Sequence, residues 1–281
     1  MPDPAPFDPS YTAARRVLLD ALTLLAPQGD AVIVVGAQAV YLRTGDGELG
    51  TTVAPYTTDG DLALEPALLS NDPDLEALMA GAGFVAEHPG MWSTVVCVGG
   101  QDIVIPVDLI VREGAHLGGG RRGARIPPHG RLAARRAVGL EAALVDHGPI
   151  AVTALDPSDD RQITVQVAGL AALLVAKAHK IQDRVLAGRS DRLSDKDAAD
   201  VYRIMQAAKP ADIAWTLNTL LADPLAADVT AQAIGYMRDL FGRRAGEGVA
   251  MAQRSLRLAV DPEQIATLCV AFTERTLPTR A

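Results

Sequence analysis

The chain has 281 residues, 49% of them hydrophobic and 21% charged, which suits one large folded domain or two sharing an interface and excludes a disordered protein. A net charge of -8 excludes a surface coated in positive charge for nonspecific nucleic-acid binding, although a local basic patch stays possible. No apolar run reaches the roughly 20 residues that span a bilayer, and the acids and prolines of "MPDPAPFDPS" do not form a signal peptide, so a cytoplasmic protein without a membrane partner is expected. Cys97 and Cys269 are far apart in the chain, form no disulfide framework or zinc pattern, and are expected to be buried apolar residues.

In chain order, "YTAARRVLLDALTLLA" repeats apolar residues at helical spacing. "AVIVVG" is a short β-branched run ending in glycine and predicts a buried strand, followed directly by a helix over "AQAVYLR". Residues Asp59 to Glu65 alternate as a strand does. "DPDLEALMAGAG" has an Asp start and a glycine stop suited to a helix, and "STVVCV" and "DIVIPVDLIV" predict two further strands. From Arg112 to Arg136 the chain is rich in glycine and proline and carries seven arginines against one acid, Glu113. "IAVTALDPSDDRQITVQVAG" predicts two short strands. Beyond it helices dominate: "LAALLVAKAHKIQDRVLA", "DKDAADVYRIMQAA", "ADIAWTLNTLLA", "AQAIGYMRDLF" and "DPEQIATLCVAFTER". The expected architecture is an α/β domain over residues 1–168, a small mixed sheet with helices, followed by a mainly helical domain over 169–281 that carries a lysine-bearing helix.

Two constellations carry chemistry. In "PYTTDGDLALEP", Asp59 and Asp61 flank a glycine. An Asp-Gly pair between extended segments is a strong turn signal, and a simple chain reversal is one reading. The other begins from Asp108, a carboxylate inside the aliphatic strand "IVIPVDLIV", where it needs a partner. If Asp59 and Asp61 share a strand, their spacing of two puts both side chains on one face, where Asp108 from a neighbouring strand can meet them. Like charges ~4 Å apart at an effective dielectric near 20 repel by ~4 kcal/mol, so such a cluster is either protonated or holds a cation. Oxygen-only ligands suit Mg²⁺ or Mn²⁺.

"VVGAQAVYL", then "TTDGD", then "PVDLI" resembles the nucleotidyltransferase superfamily pattern of a strand ending in Gly-Gly or Gly-Ser, a helix, an Asp-x-Asp pair and a third Asp on a later strand. The resemblance implies that Gly36 faces the triphosphate, with Thr57 and Thr58 beside it, and that Asp59, Asp61 and Asp108 are metal ligands, the first two catalytic. Three departures stand in the sequence: Ala37 replaces the second Gly or Ser, the interval from Gly36 to Asp59 is long, and Gly60 replaces an apolar residue between the acids.

The second constellation lies in "LLVAKAHKIQDRVLAGRSDRLSDKDAADVYRI". The chain holds only four lysines, and three of them, Lys177, Lys180 and Lys196, fall within this segment. On a helix Lys177, Lys180 and Arg184 share a face, which reads either as a solvated face or as a set of donors for triphosphate or pyrophosphate. The segment looks like nucleotidyltransferase toxins of the AbiEii and MenT type, in which an "AK…R" helix precedes "KD…D". That likeness implies a functional lysine at Lys177, with Lys180 its competitor, a nucleotide-binding arginine at Arg184, a catalytic Asp197 and a nucleotide-binding Asp200. The two aspartates read alternatively as groups that orient the lysine or cap their helix.

No Gly-Lys-Ser or Gly-Lys-Thr, HExxH or Gly-x-Ser-x-Gly pattern occurs. The arginines of the glycine-rich segment, Arg121, Arg122 and Arg125 among them, read as a solvated loop or as a receiver of RNA phosphates. The expected function is metal-dependent transfer of NMP from an NTP to an RNA hydroxyl. By resemblance the acceptor is the tRNA 3′ end, and the protein is a toxin held in check by an antitoxin. The alternatives are the same chemistry on a protein or a small molecule such as an aminoglycoside, and a non-catalytic nucleotide-binding scaffold.

Overall fold

The computed structural model describes residues 7–45, 57–114, 123–188 and 192–278. The fold is mixed α/β and about 51% helical, with nine α-helices and one mixed sheet of nine strands among the described residues. Contacts divide the chain into two units: Met1–Leu42, Ala54–Ala137 and Gly148–Val167 form the first, and Arg43–Val53, Val138–His147 and Ala168–Ala281 the second.

In the first unit the Asp8 side chain accepts hydrogen bonds from the backbone N–H groups of Ser10 (2.8 Å) and Tyr11 (3.3 Å) and so caps α1 (Pro9–Leu25). The helix buries Tyr11, Ala14, Val17, Leu18 and Leu22. β1 (Val32–Val35) is buried at all four positions because it lies between two strands, antiparallel to β2 (Gly60–Leu64) and parallel to β9 (Gln162–Ala168). α2 (Gly36–Thr44) follows β1 without a linker. The sheet continues from β2 to β5 (Gln101–Arg112), β4 (Met91–Val98) and the edge strand β3 (Val85–His88), and beyond β9 it ends at β8 (His147–Thr153). α3 (Leu75–Gly81) is capped by Asp74, which accepts from the Ala77 N–H at 2.7 Å.

Short strands β6 (Gly123–Ala124) and β7 (Ala134–Ala137) pair with one another, and β7 runs parallel to β5. Neither is expected from the sequence, where glycine, proline and arginine mask any alternation. Cys97 corrects another expectation, since it stands exposed on β4 while Cys269 is buried.

In the second unit, α4 (Leu170–Leu186) is started from outside its own sequence. Asp146 accepts from the Ala172 N–H at 2.9 Å, and Gly169 makes room for that carboxylate, which a Cβ would overlap. α4 packs on α5 (Arg192–Ala207) and α7 (Ala227–Phe241). α6 (Pro210–Ala222), α8 (Glu247–Leu256) and α9 (Pro262–Thr276) complete the helical packing around Tyr202, Phe241, Cys269 and Phe272. α8 is not foreseen in the sequence because Gly242, Gly246 and Gly248 surround its start. Gly248 is there for packing, as a Cβ would overlap the Phe241 ring. His179 is structural: its Nε2 lies 2.9 Å from the Val229 carbonyl oxygen and its ring meets Tyr236 edge-on at 5.2 Å. Among the described residues no helix is long and apolar enough to cross a membrane.

Candidate functional site

Each unit contains one of the two constellations. In the first, β2 and β5 are parallel with Asp61 and Asp108 as register partners. Partners in a parallel pair project from the same face of the sheet, so the two carboxylates stand abreast. Gly60 faces the other way. A Cβ on it would lie 3.4 Å from Leu18 Cδ1 of α1, so Leu18 fills the space of the missing apolar side chain. Alternation then carries Asp61 to the face away from α1.

Gly36 follows β1 and opens α2 at a φ of 69°, a left-handed conformation that suits glycine. A Cβ at this position would overlap the Asp61 carboxylate, so the residue type is fixed by conformation and by contact together. The N-terminus of a nine-residue helix therefore lies beside a carboxylate.

Asp59 immediately precedes β2. The buried Thr57 hydroxyl donates to Asp59 Oδ1, and the Gln38 side-chain amide reaches the Asp59 carbonyl oxygen at 3.5 Å. Gln38 in turn accepts from Arg15 Nε at 3.0 Å, and Arg15 also donates to the Tyr11 hydroxyl (2.8 Å) and the Thr153 carbonyl (3.1 Å). These buried groups tie the Asp59 backbone to α1 and α2. Thr58 is half-buried.

Asp108 has a partner that the sequence reading did not assign to the site. Arg135 of β7 donates to Asp108 Oδ2 from Nε at 3.2 Å and from Nη2 at 2.5 Å. Among the described residues no group of three or more His, Cys, Asp or Glu is arranged to hold a metal ion. The donor chemistry still fits a hard divalent cation: Asp61 and Asp108 stand abreast with carboxylate oxygens only, and Gly36 contributes no side chain to crowd them. Two successive arginines on a strand point to opposite faces. Arg136 accordingly pairs elsewhere, with Glu113 at 2.9 Å.

In the second unit, Lys177 on α4 is buried between two aspartates of α5, 2.5 Å from Asp197 Oδ1 and 2.6 Å from Asp200 Oδ2. Burial alone would favour the neutral amine, but the charges of Asp197 and Asp200 outweigh it and push the lysine pKa upward. Burial likewise opposes the Asp197 charge, yet Lys177, Lys180 and Arg184 together hold its carboxyl well below the usual range. Arg184 donates to Asp197 Oδ2, and Lys180 Nζ lies 3.3 Å from Oδ1. The side chains of Lys177, Arg184 and Lys180 are 6%, 28% and 47% exposed, so Lys177 forms the floor of the cluster and the other two its rim. Among these five groups three are cationic and two anionic, which leaves one net positive charge.

Arg125 is exposed and borders a cavity of about 190 Å³ with Pro66, Asn71 and His129. Arg121 and Arg122 lie outside the described residues. Neither a protein-family model nor a curated protein matches the chain.

Proposed function

We propose that the chain is a metal-dependent nucleotidyltransferase of nucleotidyltransferase-like fold that moves NMP from an NTP to an RNA hydroxyl. The tRNA 3′ end is the proposed acceptor, and the biological role that of a toxin balanced by an antitoxin. The observation that carries this reading is the pairing of Asp61 with Asp108 on parallel strands, with Gly36 bare against Asp61.

Asp61 and Asp108 would hold Mg²⁺ or Mn²⁺, which when bound would supply charge stabilisation to the phosphates. In the reaction the acceptor hydroxyl oxygen bonds to the α-phosphorus, the bridge between α- and β-phosphates breaks, and pyrophosphate leaves. One of the aspartates takes the hydroxyl proton. Gly36 brings the start of α2 beside Asp61, and in the second unit, taken by itself, the rim residues Lys180 and Arg184 are donors of the kind that bind phosphate. Lys177, Asp197 and Asp200 hold that rim in place.

Calorimetry tests the reading. Mg²⁺-dependent NTP binding to the wild type, lost in Asp61→Ala, supports it; binding that survives the substitution refutes it. A second reading, a non-catalytic nucleotide-binding scaffold, is favoured by the Arg135 guanidinium seated on Asp108. It predicts the same binding with no transfer.

A further inference from the structure

Arg135 reaches Asp108 by a specific piece of backbone construction. β5 pairs with β4 up to Asp108, opposite Met91, and then with β7 from Ile110, opposite Arg135. Gly90 makes the change of partner possible. Its N–H donates to the Leu132 carbonyl at 2.8 Å, its carbonyl accepts from the Leu109 N–H at 2.8 Å, and its φ is 69°. A Cβ here would overlap the backbone of both β5 and β7, next to Arg135 itself. Asp108 lies two residues before Ile110 on β5, so it shares the face from which Arg135 projects.

The guanidinium sends two donors to one oxygen, Oδ2, and both side chains are largely shielded, 23% exposed for Arg135 and 17% for Asp108. A guanidinium stays charged at any working pH. It therefore sets a full positive charge against the carboxylate that a divalent cation between Asp61 and Asp108 would share.

Granted the nucleotidyltransferase reading, on which this rests, we propose that Arg135 is a positioning residue that acts as a built-in competitor of the metal. It holds Asp108 in the absence of nucleotide, and it exchanges that carboxylate for a phosphate oxygen when a triphosphate enters. The exchange makes metal and triphosphate bind together. A metal ion alone meets the guanidinium; with a triphosphate present, the guanidinium has an alternative anion and Asp108 is released to the metal. Arg135 thereby couples the filling of the metal position to the arrival of substrate.

The test is Mn²⁺ binding followed by electron paramagnetic resonance, with and without inorganic tripolyphosphate, a probe independent of the nucleotide base. Wild type is expected to bind Mn²⁺ alone weakly and at least ten-fold more tightly with tripolyphosphate. In Arg135→Gln, Mn²⁺ alone binds several-fold more tightly than in wild type, and the tripolyphosphate enhancement shrinks towards that of direct metal–phosphate chelation, measured without protein. Arg135→Lys, which keeps the charge and guards against a folding defect in the glutamine variant, retains a large part of the enhancement. Mn²⁺ affinity unchanged in a folded Arg135→Gln, with binding in wild type still abolished by Asp61→Ala, overturns the competitor role alone. No Asp61-dependent Mn²⁺ binding under any of these conditions overturns the competitor role and the nucleotidyltransferase reading together.

Discussion

Asp61 on β2 and Asp108 on β5 face each other across a parallel register, and the bare Cα of Gly36 lies against the first of them. Gly36 thus has little room for change. Gly36→Ala forces a Cβ into the carboxylate and an L-residue into a left-handed φ, costing about 1–2 kcal/mol from backbone conformation alone. We expect a lower urea midpoint and a loss of NTP binding greater than the stability change explains, both measurable on one purified variant.

Lys177 and Lys180 separate structure from surface. Lys177→Ala leaves Asp197 and Asp200 without their buried cation, for which a destabilisation of about 3–5 kcal/mol is expected. Lys180→Ala removes a half-exposed charge worth under about 1 kcal/mol. Urea denaturation should therefore rank Lys177→Ala far below Lys180→Ala. In transfer assays Lys180→Ala should lose activity at nearly full stability, and a fully active Lys180→Ala would show that this charge takes no part in the reaction.

The same network fixes a pH window. Asp197 has a depressed folded pKa, so its contribution to stability is present above the unfolded carboxylate value of ~3.9 and is lost as pH falls below it. Lys177 has a raised pKa, so its contribution is present below the unfolded value of ~10.4 and is lost as pH rises beyond it. Between about pH 5 and 9 these two groups leave stability flat. Chemical denaturation across pH should show an acid decline that is shallower in Asp197→Asn than in wild type, once both are normalised to neutral pH.

The cysteines give an independent check on the helical packing. Burial pushes the Cys269 thiol up to about 12, while Cys97 is exposed on β4. A thiol reagent at neutral pH should modify one cysteine quickly, identified as Cys97 by peptide mass, and the second only on unfolding.

How much the sequence disclosed depended on period and punctuation. β1 was legible because four β-branched residues end in glycine, and the alternation after Asp59 marked β2 to within a residue. The acids and the lysine helix were legible as residue types in unusual places. Arg135 was hidden by its neighbours: "LAARRAV" closes the stretch from Arg112 to Arg136, whose seven arginines and many glycines suggested a loop, and nothing local showed that β7 would dock on β5. The depth of Lys177 was hidden too, because a lysine on a helix is ordinarily solvated and its burial depends on two aspartates contributed by the next helix. α8 was lost behind three glycines, one of which is a packing requirement of Phe241.

The most direct test of the proposed function is transfer itself. Purified protein is incubated with Mg²⁺, total tRNA and each labelled NTP in turn, beside Asp61→Ala and a no-metal control, and label is followed into RNA by gel and intact mass. The account predicts a mass increase of one nucleotide unit or more on RNA, with release of pyrophosphate, in the wild type with Mg²⁺ and in neither control. No label in RNA with any of the four NTPs, from protein that binds Mg²⁺ and NTP normally, would contradict it.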